Sequence, residues 1–392
     1  MINTLAIRNF RSIRDLVLDL HGLDLVTGAN GSGKSNLYKA LRLLAECANG
    51  EVIGSLARQG GLNSVLWAGP ESLSRGMLSG EIPVQGTVRK EPVSLRLGFA
   101  SEDFGYLLDL GLPVPGESSF GRDPIIKAEQ VFAGPSARPA AVLTERNGSL
   151  VRGRDEQGHW QELSRNLHSH ESMLNEVADL QRSPELYRVR QMMRAWRFYD
   201  HFRTDPLAPA RQAQVGTRTP ILSHHGDDLA AALQTVIEAG GGERLALAID
   251  RAFPGSAVRI EEHEGMFQTT LKQAGMLRPL SAAELSDGTL RYLLLCAALL
   301  TSRPPELMVL NEPETSLHID LLPALAQLLL DASEHCQLLV VTHSPLLIGE
   351  LEHSPGAVHR HELSKQLGET TLEGRGLLDV PSWTWPNRGR MG

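Results

Sequence analysis

Cysteine is scarce in this 392-residue chain: only Cys47, Cys296 and Cys336 occur, far apart and each in an apolar segment. That excludes a disulfide framework and a CxxC metal site, and predicts buried thiols in a reducing compartment. Excess positive charge is missing too. With 38 Lys and Arg against 46 Asp and Glu, the formal charge is −8, so a uniformly basic coat is excluded and any nucleic-acid contact has to come from a local patch. The longest apolar run, Tyr292 to Leu300, falls far short of the roughly 20 residues a membrane helix needs. The opening Met1-Ile2-Asn3-Thr4 leads into an alternating strand, not a charged segment followed by an apolar one, which predicts a cytoplasmic protein without a signal peptide. Repeats, low-complexity tracts and sustained heptads are likewise absent. What remains is an apolar content of 42% over a length that suits two or three domains with a large core.

The most informative stretch is Gly28-Ala29-Asn30-Gly31-Ser32-Gly33-Lys34-Ser35, a P-loop pattern G-x-x-x-x-G-K-[ST]. Its glycines let successive backbone N–H groups turn inward, Lys34 reaches β- and γ-phosphates, and the Ser35 hydroxyl suits Mg²⁺. Leu23 to Thr27 before it reads as a strand, and Leu37, Leu41, Leu44 and Ala48 after it mark one face of a helix. Strand, glycine turn and helix N-terminus together make an anion site. Gly28, Asn30, Gly31, Gly33, Lys34 and Ser35 are therefore the candidate residues for binding a nucleoside triphosphate.

Upstream, Ile2 to Ile13 and the run through Leu16, Leu18 and Leu20 read as two strands feeding the P-loop strand. The segment Ile7-Arg8-Asn9-Phe10-Arg11-Ser12-Ile13, just before a P-loop, resembles the opening of the RecF, SMC and OLD group of ABC-type ATPases. Downstream, Gly- and Pro-punctuated segments at 78–88 and 92–100 predict an antiparallel β-subdomain, with further strands at 125–132 and 141–150. Residues 163–202 read as mostly helical, with Ser183 capping a helix that has Pro184 at its first position. A helix over 226–239 is expected to end at Gly240-Gly241-Gly242, followed by strands at 257–263 and 266–273.

Leu307-Met308-Val309-Leu310-Asn311-Glu312-Pro313 has the shape of a Walker B segment: an apolar strand that delivers a polar pair to its C-terminal end. In the resembling family the position of Glu312 orients and polarises the attacking water. Asn311 stands where most members carry Asp; its carbonyl oxygen accepts from a Mg²⁺-bound water but brings no charge, which implies weaker metal binding or slower turnover. Leu285-Ser286-Asp287-Gly288-Thr289 resembles the signature motif, with Ser286 as N-cap and Ser286 and Gly288 meeting the γ-phosphate held by another protomer. Asp287 replaces a glycine there and is expected to point away from phosphate. Glu314 to His318 resembles the D-loop, and His343, after the strand 338–341, matches the switch histidine that contacts the γ-phosphate.

The order P-loop, signature, Walker B, D-loop, switch histidine resembles compact RecF-like ATPases, since long coiled coils are missing and only about fifty residues, including an expected hairpin over 357–372, follow His343. That resemblance implies an α/β fold: an ABC-ATPase-type P-loop head with a mixed β-sheet flanked by helices and an antiparallel β-subdomain, split by an inserted helical lid. Its expected divisions are 1–70 and 276–392 for the two halves of the head, and 71–275 for the insertion. It implies a head-to-tail homodimer around ATP and Mg²⁺, with Glu312 and His343 catalytic, Ser35 and Asn311 on the metal, and a task on DNA. An ATP-sensing scaffold controlling a separate effector protein, as in some phage-defence systems, is the alternative that Asn311 motivates.

Between Arg182 and Arg203, Arg188, Arg190, Arg194 and Arg197 interleave with Trp196, Phe198, Tyr199 and Phe202. Read one way, this is a basic aromatic helix for a phosphate backbone and bases. Read the other way, the aromatics pack inward on a lid helix and the arginines are solvated. The pairs His168/His170, His224/His225 and His359/His361 lack partner ligands at useful spacing and read as surface or loop residues.

Overall fold

A computed structural model describes the whole chain except residues 72–73, 84, 87–91, 355, 357, 375–380 and 387–392. The chain forms two compact bodies: Met1–His21, Gly28–Trp196 and His361–Gly392 make the first, and Gly22–Thr27 with Arg197–Arg360 the second.

The first body is built on an eight-stranded antiparallel sheet in the order β2-β1-β4-β5-β6-β7-β8-β9. Its strands are β1 (Ile2–Phe10), β2 (Ile13–Asp19), β4 (Leu95–Ser101), β5 (Phe104–Gly111), β6 (Ile125–Ala133), β7 (Val142–Asn147), β8 (Leu150–Arg154) and β9 (Trp160–Ser164). The antiparallel subdomain is thus larger than its sequence pattern announced. It also claims β1 and β2: β1 pairs with β4 in register Leu5↔Phe99 and Ile7↔Leu97. The helix Lys34–Glu46 buries Leu37, Leu41 and Leu44 completely, as its spacing predicts. The expected strand over 78–88 does not form where the chain is described. Residues 78 and 79 end a helix, Arg75–Ser79, started by the Ser74 side chain, and 84, 87 and 88 lie outside the described residues. The hairpin near the end is present as β17 (His359–Gln366) and β18 (Glu369–Leu372), while residue 357 lies outside the described residues.

In the second body, four parallel strands lie in the order β10-β15-β16-β3: β10 (Arg197–Tyr199), β15 (Leu307–Asn311), β16 (Gln337–Val341) and β3 (Leu23–Gly28). Uninterrupted apolar runs suit strands buried on both faces. The helix Asp287–Leu299 is buried all round from Thr289 onward and forms the centre of the core with Leu325, Leu329 and Leu233. Smaller strands β11 (Gln214–Val215), β12 (Ala257–His263), β13 (Met266–Lys272) and β14 (Leu280–Ser281) make a second, antiparallel sheet.

Two helical expectations need correction. Over 163–202 only Met173–Glu176 and Pro184–Ala195 are α-helical, because β9 and β10 take the flanks as sheet strands. The triple glycine does not end a helix: a left-handed Gly240 (φ 91°) makes a kink, and a further helix, Gly242–Ala252, buries Leu245 and Ile249. All three cysteines are buried, and burial pushes the Cys336 thiol up to about 12 and Cys47 and Cys296 upward as well. Among the described residues no helix is long and apolar enough to cross a membrane.

Candidate functional site

In the first body the P-loop is shaped by what crowds it. Gly28 has φ 139°, and a Cβ there would stand 2.1 Å from the Leu363 carbonyl oxygen. Gly33 has φ 114°, and a Cβ would stand 2.1 Å from Thr370 Oγ1. That threonine, on β18, donates to the Ser32 carbonyl oxygen (2.8 Å) and lies 2.7 Å from Ser12 Oγ, which in turn accepts from Asn36 Nδ2 at 2.8 Å. A four-residue polar brace therefore holds the loop's second half. Lys34 is buried, and its ammonium donates to the carbonyls of Gly28 (2.7 Å) and Ala29 (3.1 Å), leaving one of its three protons for an anion. Asn30, Gly31 and Ser35 are exposed around it. The brace is tested by Gly33→Ala, expected to destabilise by roughly 1–3 kcal/mol from backbone strain alone, plus the clash. Gly31→Ala, with open space at its Cβ, meets only the strain, so thermal melts of the pair should rank Gly33→Ala well below Gly31→Ala.

In the second body β15 and β16 end level, Asn311 opposite Val341, and β3 reaches the same level at Val26. Beyond these ends, Glu312 Oε1 stands 3.3 Å from His343 Nδ1. Glu312 is left-handed (φ 49°), a conformation uncommon for a residue with a Cβ. Its backbone is held on both sides: its N–H donates to the Val341 carbonyl (2.8 Å), and its carbonyl accepts from Arg291 Nη2 (3.1 Å). Arg291 is 2% exposed; burial pulls its pKa down while the carboxylates of Glu314, Asp200 and Glu312 oppose that shift. Glu314, itself buried, accepts from Thr342 Oγ1 (2.5 Å) and from the His343 N–H (3.3 Å), which fixes the segment that carries His343. Asn311 donates from Nδ2 to Asp200 Oδ1 at 2.6 Å, and its own Oδ1 is buried without a hydrogen-bond partner among the described residues.

At the start of the helix Asp287–Leu299, Ser286 is the N-cap, accepting from the Thr289 N–H at 3.2 Å. Gly288 is pressed against the following turn: a Cβ would stand 2.9 Å from the Ser316 carbonyl oxygen. Asp287 is taken up by Arg211 (2.6 Å), whose guanidinium also donates to the carbonyls of Ala282 (3.0 Å) and Leu285 (2.7 Å). His318 caps a short turn, accepting from the Asp320 N–H.

The arginine-rich segment does not form one basic aromatic helix. Trp196, Phe198, Tyr199 and Phe202 are all buried, and they lie beyond the helix Pro184–Ala195 rather than along it, so none offers a face on which a base could stack. Arg190 and Arg194 donate to Asn175 and Asn49, while Arg182 and Arg188 are exposed and Arg197 is half-buried on β10. Of the histidine pairs, His168 and His170 stack with centroids 5.6 Å apart, and His361, expected at the surface, is buried.

The sites expected from sequence thus fall into two sets, one per body: Gly28 to Ser35 in the first, and Ser286, Gly288, Asn311, Glu312 and His343 in the second. Sequence reading missed their supports. Thr370, Arg291, Arg211 and Asp200 carry no motif, Ser12 and Glu314 lie in motifs that do not announce these contacts, and a partner 358 positions away, as Thr370 is from Ser12, leaves no local pattern.

Residues 25–349 match the family described as "AAA domain, putative AbiEii toxin, Type IV TA system", and residues 4–45 match a second family described as "AAA domain". No curated protein matches the chain. Among solved structures it is similar to an SMC head bound to the C-winged helix domain of ScpA, at 14% identity and TM-score 0.49, covering 95% of this chain and 97% of that one. It is also similar to the SMC head domain from Thermotoga maritima (16%, TM-score 0.43, 95% and 97% covered) and to an SMC head with an extended coiled coil, bound to the C-terminal domain of ScpA, from Pyrococcus furiosus (13%, 0.48, 95% and 95%).

Proposed function

We propose, since the chain belongs to the AAA-domain family whose description names a putative AbiEii toxin of type IV TA systems, that it is a Mg²⁺-dependent ATPase whose hydrolysis cycle makes and breaks a head-to-tail homodimer. The observation that carries this reading is the contact of Glu312 with His343, 3.3 Å apart beyond the level ends of adjacent parallel strands. A carboxylate beside an imidazole, on backbone fixed by Arg291 and Glu314, suits the orientation of a water and the sensing of a phosphate.

Each residue has its task in this reading. The backbone of Gly28 to Ser35, including Asn30, Gly31 and Gly33, binds phosphates, and Lys34 turns its remaining proton to them. Ser35 and Asn311 hold Mg²⁺ and its waters; the buried, partnerless Oδ1 of Asn311 fits a donor of that kind. When bound, the ion neutralises the phosphate charge that develops during transfer. Glu312 polarises the attacking water and His343 contacts the γ-phosphate. Ser286 and Gly288 complete the site of a second chain. DNA is the proposed load, and with the aromatics buried, Arg182, Arg188, Arg190, Arg194 and Arg197 would meet it through phosphates alone.

Phosphate release with and without duplex DNA, alongside light scattering with and without ATP, tests the reading. Mg²⁺-dependent turnover and an ATP-dependent doubling of mass are expected, both lost in Lys34→Ala. ATP binding without either would sink it. The second reading, an ATP-sensing scaffold that governs a separate effector, is favoured by Asn311 and predicts the doubling of mass with no turnover, with or without DNA.

A further inference from the structure

The departure at Asn311 looks, in sequence, like a lost charge. In the fold it has a neighbour. β10 runs parallel to β15 in the register Phe198↔Val309 and Tyr199↔Leu310, so the residues that come next are Asp200, just past the end of β10, and Asn311, the last of β15. Their side chains meet: Asn311 Nδ2 donates to Asp200 Oδ1 at 2.6 Å, short as charge-assisted hydrogen bonds are. This bond fixes the amide the right way round. With the nitrogen turned to Asp200, the oxygen of Asn311 is left as a buried acceptor without a partner among the described residues. Asp200 itself is exposed, and one of its oxygens remains outside the bond with Asn311.

We propose that Asp200 supplies the negative charge that Asn311 lacks, so that the acidic metal-binding position of this ATPase is divided between a carboxylate just past the end of β10 and an amide at the end of β15. The inference rests on the ATPase reading above. Its chemistry is that of a hydrated Mg²⁺, which keeps several of its waters and needs oxygen acceptors for their protons, at least one of them charged to favour the ion over bulk water. Asn311 Oδ1 offers the neutral acceptor and Asp200 the charged one. A lone Asn at this position would offer only the first.

A rival role for Asp200 is merely to orient the Asn311 amide. The two roles part under Asp200→Asn, which keeps a carbonyl oxygen to accept from Asn311 Nδ2 while removing the charge. The measurement is ATP affinity by calorimetry, in EDTA and across a Mg²⁺ series, which gives the factor by which Mg²⁺ tightens ATP. In Asp200→Asn that factor should fall about tenfold with affinity in EDTA unchanged, in the range typical for groups supporting a metal. The exchanged pair Asp200→Asn/Asn311→Asp puts the charge back on the neighbouring strand and should recover most of the loss. Asn311→Asp alone sets two carboxylates against each other and should not improve on the parent. An unchanged Mg²⁺ factor in Asp200→Asn overturns the proposal, as does a loss that the exchanged pair fails to recover or a loss seen equally in EDTA. A parent protein that binds no ATP at all overturns the ATPase reading itself, a result none of the others resembles.

Discussion

On the proposed ATPase reading, Glu312→Gln should keep ATP bound and lower its turnover by roughly 10²–10⁴-fold, the usual worth of a positioned proton acceptor. The substitution preserves volume while removing the carboxylate's charge and its capacity to take a proton from water. The left-handed backbone at 312 is held by hydrogen bonds of its own N–H and carbonyl, to the Val341 carbonyl and from Arg291, and the substitution leaves both groups in place. With hydrolysis blocked, the ATP-bound dimer should persist, so phosphate release falls while light scattering with ATP reports a stable doubled mass. Turnover at the parent rate would assign the water to another residue. His343→Ala is the informative companion: it removes the group 3.3 Å from Glu312 while the Glu314 contacts to Thr342 and to the backbone of residue 343 remain.

Glu129→Ala should be the most destabilising single change in the first body. The Glu129 carboxylate is fully buried on β6 and accepts from Tyr106 Oη (2.6 Å), Ser172 Oγ, the Met173 N–H (2.9 Å) and Arg146 Nη1 (3.0 Å). Burial raises the Tyr106 and Cys47 pKa values well above their ordinary values, with the Glu129 charge adding to both. Removing the carboxylate strands the buried Arg146 cation, at a cost of about 3–5 kcal/mol. For a body of this size that corresponds to a fall on the order of 10 °C in the melting transition. Swapping both partners for apolar residues should not recover it. Arg146 also donates to the carbonyls of Gly148, His168 and Glu171, which would lose those hydrogen bonds as well. A melt within a few degrees of the parent would show that this network contributes far less than an ordinary buried pair.

The contrast between these two sites shows what could be read beforehand. The strand before Glu312 was legible because its pattern is local: an apolar run that must be buried, then a polar pair at its end. Gly28 to Ser35 was legible for the same reason, since a backbone wrapped around phosphates needs glycines at fixed spacing, and the P-loop AAA-type assignment holds. Glu129 and Arg146 sit on paired strands, yet nothing around either marks it as buried, because the groups that satisfy them lie up to 44 residues away. Secondary structure followed the same division. Long apolar or alternating runs such as Leu307 to Leu310 were read correctly, whereas 163–202 was read as helix where sheet pairing decided otherwise, and the triple glycine was read as an end where packing of Leu245 and Ile249 carries the helix on.

By itself, then, the sequence determined the fold class, the P-loop and the strand and helix starts that carry Ser286, Glu312 and His343, because each depends on residues adjacent along the chain. Tertiary structure alone decided what surrounds them: Thr370 behind Gly33, Arg291 beneath Glu312 and Asp200 beside Asn311. The physical reason is that a hydrogen bond or a shared charge requires proximity only in space. A strand register brings Asp200 to Asn311 across 111 positions of sequence, and no pattern along the chain records it.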